Sequence, residues 1–373
     1  MNLDDLRKEI DECDAKLVEL FEQRLRIAGQ VADYKLANGK KVYDRERELQ
    51  KIAAVKALTH NEFNQKGVEE LYEQLMSMSR KLQYQKLSGQ RDIQLAFIEK
   101  ESIDQGARVA FQGAMGSYSE AAMKQYFGAE VQSINVDTFR DAMLALDEGS
   151  AEYAILPIEN STTGIISEIY DLMVEFEHFI VGEQVIGIQH CLLGVPGTTL
   201  DTIETVYSHA QSLMQSEHFL RTHSGWKQIS MKNNAFAAAK VARVQDVTQA
   251  AIASSYAAKV YGLNILEEGI NHLAGNSTRF IIVSSQKVFL KNASKISVCF
   301  EIPHESGSLY HILSHFIYNN LNMTKIESRP MEGRNWEYRF FIDFEGNLRD
   351  SAVRNALCGI REETGNLRIL GNY

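Results

Sequence analysis

The sequence has little of what would place it outside the cytosol, in a membrane or on a nucleic acid. Its four cysteines, Cys13, Cys191, Cys299 and Cys358, stand far apart with no CxxC pair. That spacing argues against disulfides or a zinc cluster and fits buried thiols in a reducing compartment. No apolar run approaches membrane length, and the opening MNLDDLRKEIDE has no signal-peptide pattern, so a cytoplasmic protein with no membrane partner is expected. Positive charge is also short. Against 49 Asp and Glu there are 39 Lys and Arg, a formal charge of -10, which argues against nucleic acid. An anionic substrate must then be held by local clusters of arginine and lysine. What is present is 373 residues, 45% hydrophobic and 24% charged, enough for two or three domains.

The stretch from Leu3 to Lys35 organises the N-terminal part. Leu3, Leu6, Ile10, Cys13, Leu17, Leu20, Ile27, Val31 and Tyr34 alternate in steps of three and four, an apolar seam at the coiled-coil period. Arg24 interrupts it. A guanidinium on an apolar seam needs an anion to meet, and Lys35, eleven residues on, points within about 20° of it around the helix. Such a helix is ~50 Å long at 1.5 Å per residue, with Asn38-Gly39 as its stop. Nothing in the first ninety residues matches that length, so the economical partner is an antiparallel copy from a second chain.

In VYDRERELQKI, Asp44, Arg47 and Glu48 are spaced i, i+3, i+4 and are expected on one helical face. A third helix, roughly 67–87, is expected to turn Leu71, Leu75, Met78 and Leu82 inward, with Ser79 and Gln83 one turn apart beside them.

These three helices, with LRKEID, EQRLRIA, VADYK, VYDRERE and SRKLQ, resemble the all-helical chorismate mutase family over residues 1 to about 88. The resemblance implies an intertwined homodimer in which Arg7 of one chain joins Arg24, Lys35, Asp44, Arg47, Glu48, Ser79 and Gln83 of the other. Its substrate, chorismate, is a dianion that must fold into a chair before a Claisen rearrangement in which no proton moves. Arginine forks would fix the two carboxylates, while Lys35, Gln83 and Glu48 would stabilise charge on the breaking ether oxygen. Glu48 would have to be protonated to do so.

Residues from about Ser88 to Gln105 read as a connector. From Arg108 the period changes, and RVAFQG, YAILPIEN, FIVGEQVIGIQHCLLGV, TVYSH, AAIAS and TRFIIVSS read as strands separated by helices. That alternation predicts a two-lobed α/β architecture with ligands at the carboxyl ends of the strands. In GAMGSYSE, Ser117 and Glu120 form a candidate capping box where glycines expose amides at a helix N-terminus.

Together GSYSE, PIENS, SHAQS and GNSTRF resemble prephenate dehydratase over residues 105 to 285. The resemblance makes Thr278 the donor that protonates the leaving ring hydroxyl as carbon dioxide departs. Ser117, Glu159, Asn160, Ser161, Gln215 and Arg279 would line the site. Ala210 stands where the commoner motif has proline.

From Lys295 the order is βαββαβ, the ferredoxin-like order. His311 and His315 lie i, i+4 but lack a third ligand, so no metal is expected. Gly307, Ser308, Leu309 and Tyr310, with Glu327, Ser328, Arg329 and Pro330, resemble the phenylalanine-binding motifs of the ACT regulatory domain. The whole chain therefore resembles the bifunctional chorismate mutase/prephenate dehydratases: a helical mutase domain at 1–90, a dehydratase domain at 105–285 and an ACT domain at 295–373. The resemblance implies no cofactor, chorismate and prephenate as substrates, L-phenylalanine as effector, and a homodimer or higher. A dehydrogenase partner would need GxGxxG after a strand, which is missing. A non-catalytic amino-acid-responsive regulator is the other reading of a two-lobed chain.

Overall fold

The computed structural model describes residues 2–88, 97–273, 275–305, 307–331, 333–334 and 336–373. They fall into two units, the first comprising Met1–Phe97 with Ala293–Ile369 and the second Ile98–Asn292 with Leu370–Tyr373.

The first unit opens with α1, Leu3–Ala37. Asn2 caps it by accepting from Asp4 N, with Asp5 answering, and Asn38 and left-handed Gly39 end it as expected. Its buried face is Ala28, Gly29 and Ala32, small residues that let α3 come close, whereas the leucine seam is bare: Leu17 is 59% exposed and Leu20 61%. α2 spans Arg45–Lys56 and α3 Glu62–Ser88. Two expectations are corrected here. Asp44 is not on the face of α2 but caps it, accepting from Arg47 N at 3.1 Å, because a short carboxylate satisfies the first free amides. α3 starts five residues earlier than predicted, and its buried side is largely polar. Ser77, Ser79, Arg80, Lys81 and Gln83 are buried with Tyr84 and Leu87, while Leu71 is half exposed. Of the expected connector, residues 89–96 lie outside the described residues.

The second unit contains β1 (Ile98–Lys100), β2 (Val109–Gln112), α4 (Tyr118–Phe127), β3 (Ser133–Val136), α5 (Phe139–Asp147), β4 (Tyr153–Asn160), β5 (Gly164–Ile165), α6 (Ser167–Glu175) and β6 (Phe179–Gly187). It continues with β7 (Cys191–Gly194), β8 (Thr205–His209), α7 (Ala210–Gln215), α8 (Glu217–Arg221), β9 (Lys227–Met231), α9 (Asn234–Val244), β10 (Gln249–Ala253), α10 (Ser255–Tyr261), β11 (Asn264–Glu268), β12 (Ser277–Ser284) and β13 (Val288–Leu290). One lobe is the sheet β6-β12-β4-β2-β3, the other the sheet β11-β7-β10-β8-β9. Each has parallel strands flanked by antiparallel ones. The long apolar run at 179–195 is not one strand. It crosses between lobes at 188–190, feeding β6 into one sheet and β7 into the other, a break that continuous hydrophobicity hides. Val109, Phe111, Ile155, Phe280 and Ile282 fill one core, and Leu193, Ala251, Ala253, Ala237 and Val241 the other.

The first unit resumes with β14 (Lys295–Glu301), α11 (Ser308–Tyr318), β15 (Met323–Pro330), β16 (Tyr338–Glu345), α12 (Ser351–Glu363) and the start of β17 (Gly365–Asn372), whose residues from Leu370 on belong to the second unit. The βαββαβ order is present, with strands arranged β15-β16-β14-β17. α12 lies close to α3 and α11 because Gly359 has no side chain: a Cβ there would sit 2.5 Å from His315 Nδ1 and 3.1 Å from Tyr84 Cδ2.

Candidate active sites

In the first unit, Arg24, Lys35, Asp44, Arg47, Glu48, Ser79 and Gln83 line one cavity of about 560 Å³ between α1, α2 and α3. Arg24 Nη1 donates to Leu75 O at 2.9 Å and to Ser79 Oγ, so the cation on the seam is steadied by α3. Burial lowers the Arg24 guanidinium from its ordinary value, and Tyr72 and Glu48 oppose that. Lys35 Nζ donates to Val42 O at 2.6 Å, and burial depresses its ammonium against the pull of Asp44, Glu362 and Glu48. Both oxygens of Glu48 accept from Arg80 Nη1, at 2.6 and 2.5 Å. The Arg80 guanidinium thus engages both carboxylate oxygens of Glu48 as acceptors. Arg7 is absent from the cavity. It pairs with Asp4 at 3.3 Å, seventeen residues or ~26 Å along α1 from Arg24.

In the second unit, four helix caps converge on a cavity of about 420 Å³ at the carboxyl ends of β2, β8, β9 and β10: Ser117 of α4, His209 of α7, Asn233 of α9 and Ser254 of α10. The cavity also carries Lys232. Converging N-termini and an ammonium favour an anion. The expected glycine amides contribute less than foreseen, because Gly116 N donates to Glu120 Oε2 at 2.5 Å. Only half the capping box forms. Ser117 Oγ accepts from Glu120 N, and the buried Glu120 carboxylate turns to Gly116 and Lys124 instead.

Thr278 and Asn160 are direct partners in the β12–β4 register. Asn160 Nδ2 donates to Thr278 Oγ1 at 2.9 Å, and Asn160 Oδ1 accepts from Thr162 Oγ1 at 2.6 Å. Gln215 Nε2 donates to Thr162 Oγ1 at 3.1 Å, and its Oε1 meets His190 Nε2 at 2.8 Å, whose Nδ1 is 3.1 Å from Tyr118 OH. Ser161 Oγ holds Ser277 N at 2.9 Å. One chain of hydrogen bonds thus runs from Thr278 to Tyr118, next to the cap Ser117. Burial holds the His190 imidazole below its ordinary value, and the hydrogen bond with Gln215 opposes that. Glu159 and Arg279 do not join it. Strand side chains alternate, so they share the other face, with Arg279 3.7 Å from Glu159, 2.9 Å from Glu183 and 3.0 Å from Tyr373 OH.

Gly307, Ser308, Leu309 and Tyr310 line a third cavity, about 330 Å³, with Pro303, Trp336, Tyr338 and Phe340. Gly307 sits at φ 81° as the cap of α11. Glu327, Ser328, Arg329 and Pro330 are on β15, the edge strand beyond β16, and do not line it. Among the described residues no group of three metal-ligating side chains exists, and no helix is long and apolar enough to cross a membrane.

Sequence reading missed Arg80, Thr162, Tyr118, His190, Asn233 and Ser254. Arg80 and Tyr118 stood inside the motifs SRKLQ and GSYSE but carried no role of their own there.

The chain matches the family model for chorismate mutase type II over residues 6–84 and that for prephenate dehydratase over 109–288. The bifunctional chorismate mutase/prephenate dehydratase of Escherichia coli K12 is 33% identical over 376 residues, covering 99% of this chain and 95% of its own. A prephenate dehydratase from Arthrobacter aurescens, solved with L-Phe, aligns with a TM-score of 0.66 at 30% identity, covering 71% of this chain and 89% of its own. A quorum-quenching acylase aligns with a TM-score of 0.65 at 31% identity, covering 71% and 96%.

Proposed function

The chain belongs to the bifunctional chorismate mutase/prephenate dehydratase family, and from that premise we propose how its residues divide the two reactions. It rearranges chorismate to prephenate and then removes carbon dioxide and water from prephenate to give phenylpyruvate.

The rearrangement belongs to the cavity of the first unit, and the gathering of seven expected residues around one space carries that reading. Arg24 and Arg47 hold the carboxylates of the substrate dianion, and Lys35 and Gln83 face the breaking ether oxygen. Glu48 accepts a hydrogen bond from the substrate hydroxyl, and Asp44 and Ser79 fix α2 and Arg24. The work is orientation and charge stabilisation. Arg7 comes from a second copy, whose exposed leucine seam covers this one. A helix of 35 residues with bare leucines is the surface an antiparallel copy would bury.

In the second unit the converging caps and Lys232 take the carboxylates of prephenate, and Thr278 protonates the departing hydroxyl. The carbon–carboxylate bond breaks, its electron pair enters the ring, and the carbon–oxygen bond to the leaving water breaks as aromaticity is gained. Thr278 accepts from Asn160, which leaves its own proton available and stabilises charge left on Oγ1. Gln215 and Ser161 keep the Asn160 turn in place. In this reading Glu159 and Arg279 act as a pair on the other face of the strands from the Thr278 hydroxyl.

The βαββαβ portion is an ACT-type domain, and L-phenylalanine binds against the left-handed Gly307 turn with its ring on Leu309 and the aromatic wall; the Arthrobacter aurescens complex supports this reading. Assays of the purified chain test all three parts. It should consume chorismate, form phenylpyruvate from prephenate, and lose phenylalanine inhibition in Gly307→Val with dehydratase turnover retained. A chain without either turnover would instead be the non-catalytic regulator.

A further inference from the structure

Two neighbouring glutamates at the end of α12 reach into the helical part of the same unit, and each ends on a group that touches a residue of the first cavity. Glu363, its side chain 5% exposed, accepts from Arg80 Nε at 2.8 Å, and the other end of that guanidinium holds Glu48. Glu362 Oε2 accepts from Val42 N at 3.0 Å and Tyr43 N at 3.1 Å, and Val42 returns its carbonyl to Lys35 Nζ at 2.6 Å. His315 Nε2 lies 3.2 Å from Glu363 Oε1, and Tyr84 OH is 3.5 Å from the same oxygen.

A guanidinium is a rigid plane. Fixing Nε on Glu363 fixes the direction in which Nη1 presents itself to Glu48, so the two carboxylates are coupled through one group with no rotatable bond between the donors. The same logic holds for Glu362: with both amides of the turn pinned, the Val42 carbonyl cannot swing away from Lys35. Burial pushes Glu363 upward, but His315 and Arg80 outweigh it and hold the acid below its ordinary value, so both members of the Arg80 pair are charged. An interface made only to join two domains would pair its own surface charges. Here both glutamates terminate on the supports of catalytic side chains.

We propose that Glu363 and Glu362 of the C-terminal domain are positioning residues for chorismate rearrangement, Glu363 acting through Arg80 on Glu48 and Glu362 through the Val42 turn on Lys35. This rests on the mutase reading of the first cavity. It makes the mutase site incomplete without the domain that follows the dehydratase in sequence.

The test is steady-state kinetics on the full chain, with the dehydratase turnover of each variant as the measure of intact protein. Glu363→Gln should lower mutase kcat about tenfold, with the KM for chorismate within about twofold because the arginine clamps are untouched. Dehydratase turnover should not change. In a Glu48→Gln background the same substitution should have no further effect, since the group it positions has gone. A wild-type kcat in Glu363→Gln, or an equal loss in the Glu48→Gln background, would overturn the proposal. Should Glu363→Gln not fold, the half-exposed Glu362→Ala is read the same way against Lys35→Met: it must slow the wild type and not the Lys35→Met chain. A wild-type chain that leaves chorismate unchanged removes the mutase premise itself, an outcome distinct from either of these.

Discussion

Asn160 Nδ2 donates to Thr278 Oγ1 at 2.9 Å across the β4–β12 pair, where the two residues are register partners. The bond uses the hydroxyl as acceptor and leaves its proton facing away from the asparagine. Thr278→Ser should therefore retain measurable dehydratase turnover, and Thr278→Val should lose it. Asn160→Leu should fall with the valine variant. Phenylpyruvate formation at wild-type rate by Thr278→Val would move the proton donor elsewhere.

Arg24→Ala removes a half-buried clamp and the bond to Ser79 at once. The cost in transition-state binding should be ~2 to 5 kcal/mol, read from mutase kcat/KM, with dehydratase unaffected. Unchanged chorismate turnover would remove Arg24 from the site.

Arg7 cannot reach the cavity of its own chain, which makes complementation decisive. Arg7→Ala and Arg24→Ala chains should each be inactive as mutases. Mixed one to one after unfolding and refolding, they should recover ~1/4 of wild-type sites, because half the pairs are hybrids and each hybrid has one intact site. No recovery would mean that the two arginines do not meet across a pair.

Burial holds Lys35 below the ordinary lysine value of 10.5, and the cation is the form that the proposed mutase reading sets against the ether oxygen. Mutase kcat/KM should decline on its alkaline side before pH 10.5, and Lys35→Arg should move that limb upward. An alkaline limb identical in Lys35→Arg would assign it to another group.

Glu363 is held below its ordinary value of 4.5 despite burial. A depressed acid stabilises the fold above its unfolded value, and that contribution is lost as pH falls through its folded value. Denaturation of the whole chain followed from about pH 6 to pH 4 and below should show acid loss that Glu363→Gln makes shallower. Parallel curves would show that the pair adds no pH-dependent stability.

Local periodicity and turn chemistry determined a good deal unaided. The step of three and four along α1 made its helix and its bare seam legible, because heptad spacing needs no partner to be seen. The Asn38-Gly39 stop, β4 at 153–160 and the βαββαβ order were legible for the same reason: each is set by neighbours in sequence. The residues that motifs carry, Arg24, Lys35, Glu48, Asn160 and Thr278 among them, were also named from the chain alone.

What only the tertiary structure decided lies where distant segments meet. Asp44 became a cap rather than a face residue, and the run at 179–195 became two strands in two sheets, because the choice depends on where the lobe boundary falls. Register and alternation set Arg279 against Glu159 and Glu183, apart from the hydrogen-bond chain of Thr278. Arg80 and Glu363 are 283 residues apart in sequence, and no local period relates them. Each charge becomes affordable in the interior only when the other arrives, so their partnership is a property of the folded chain.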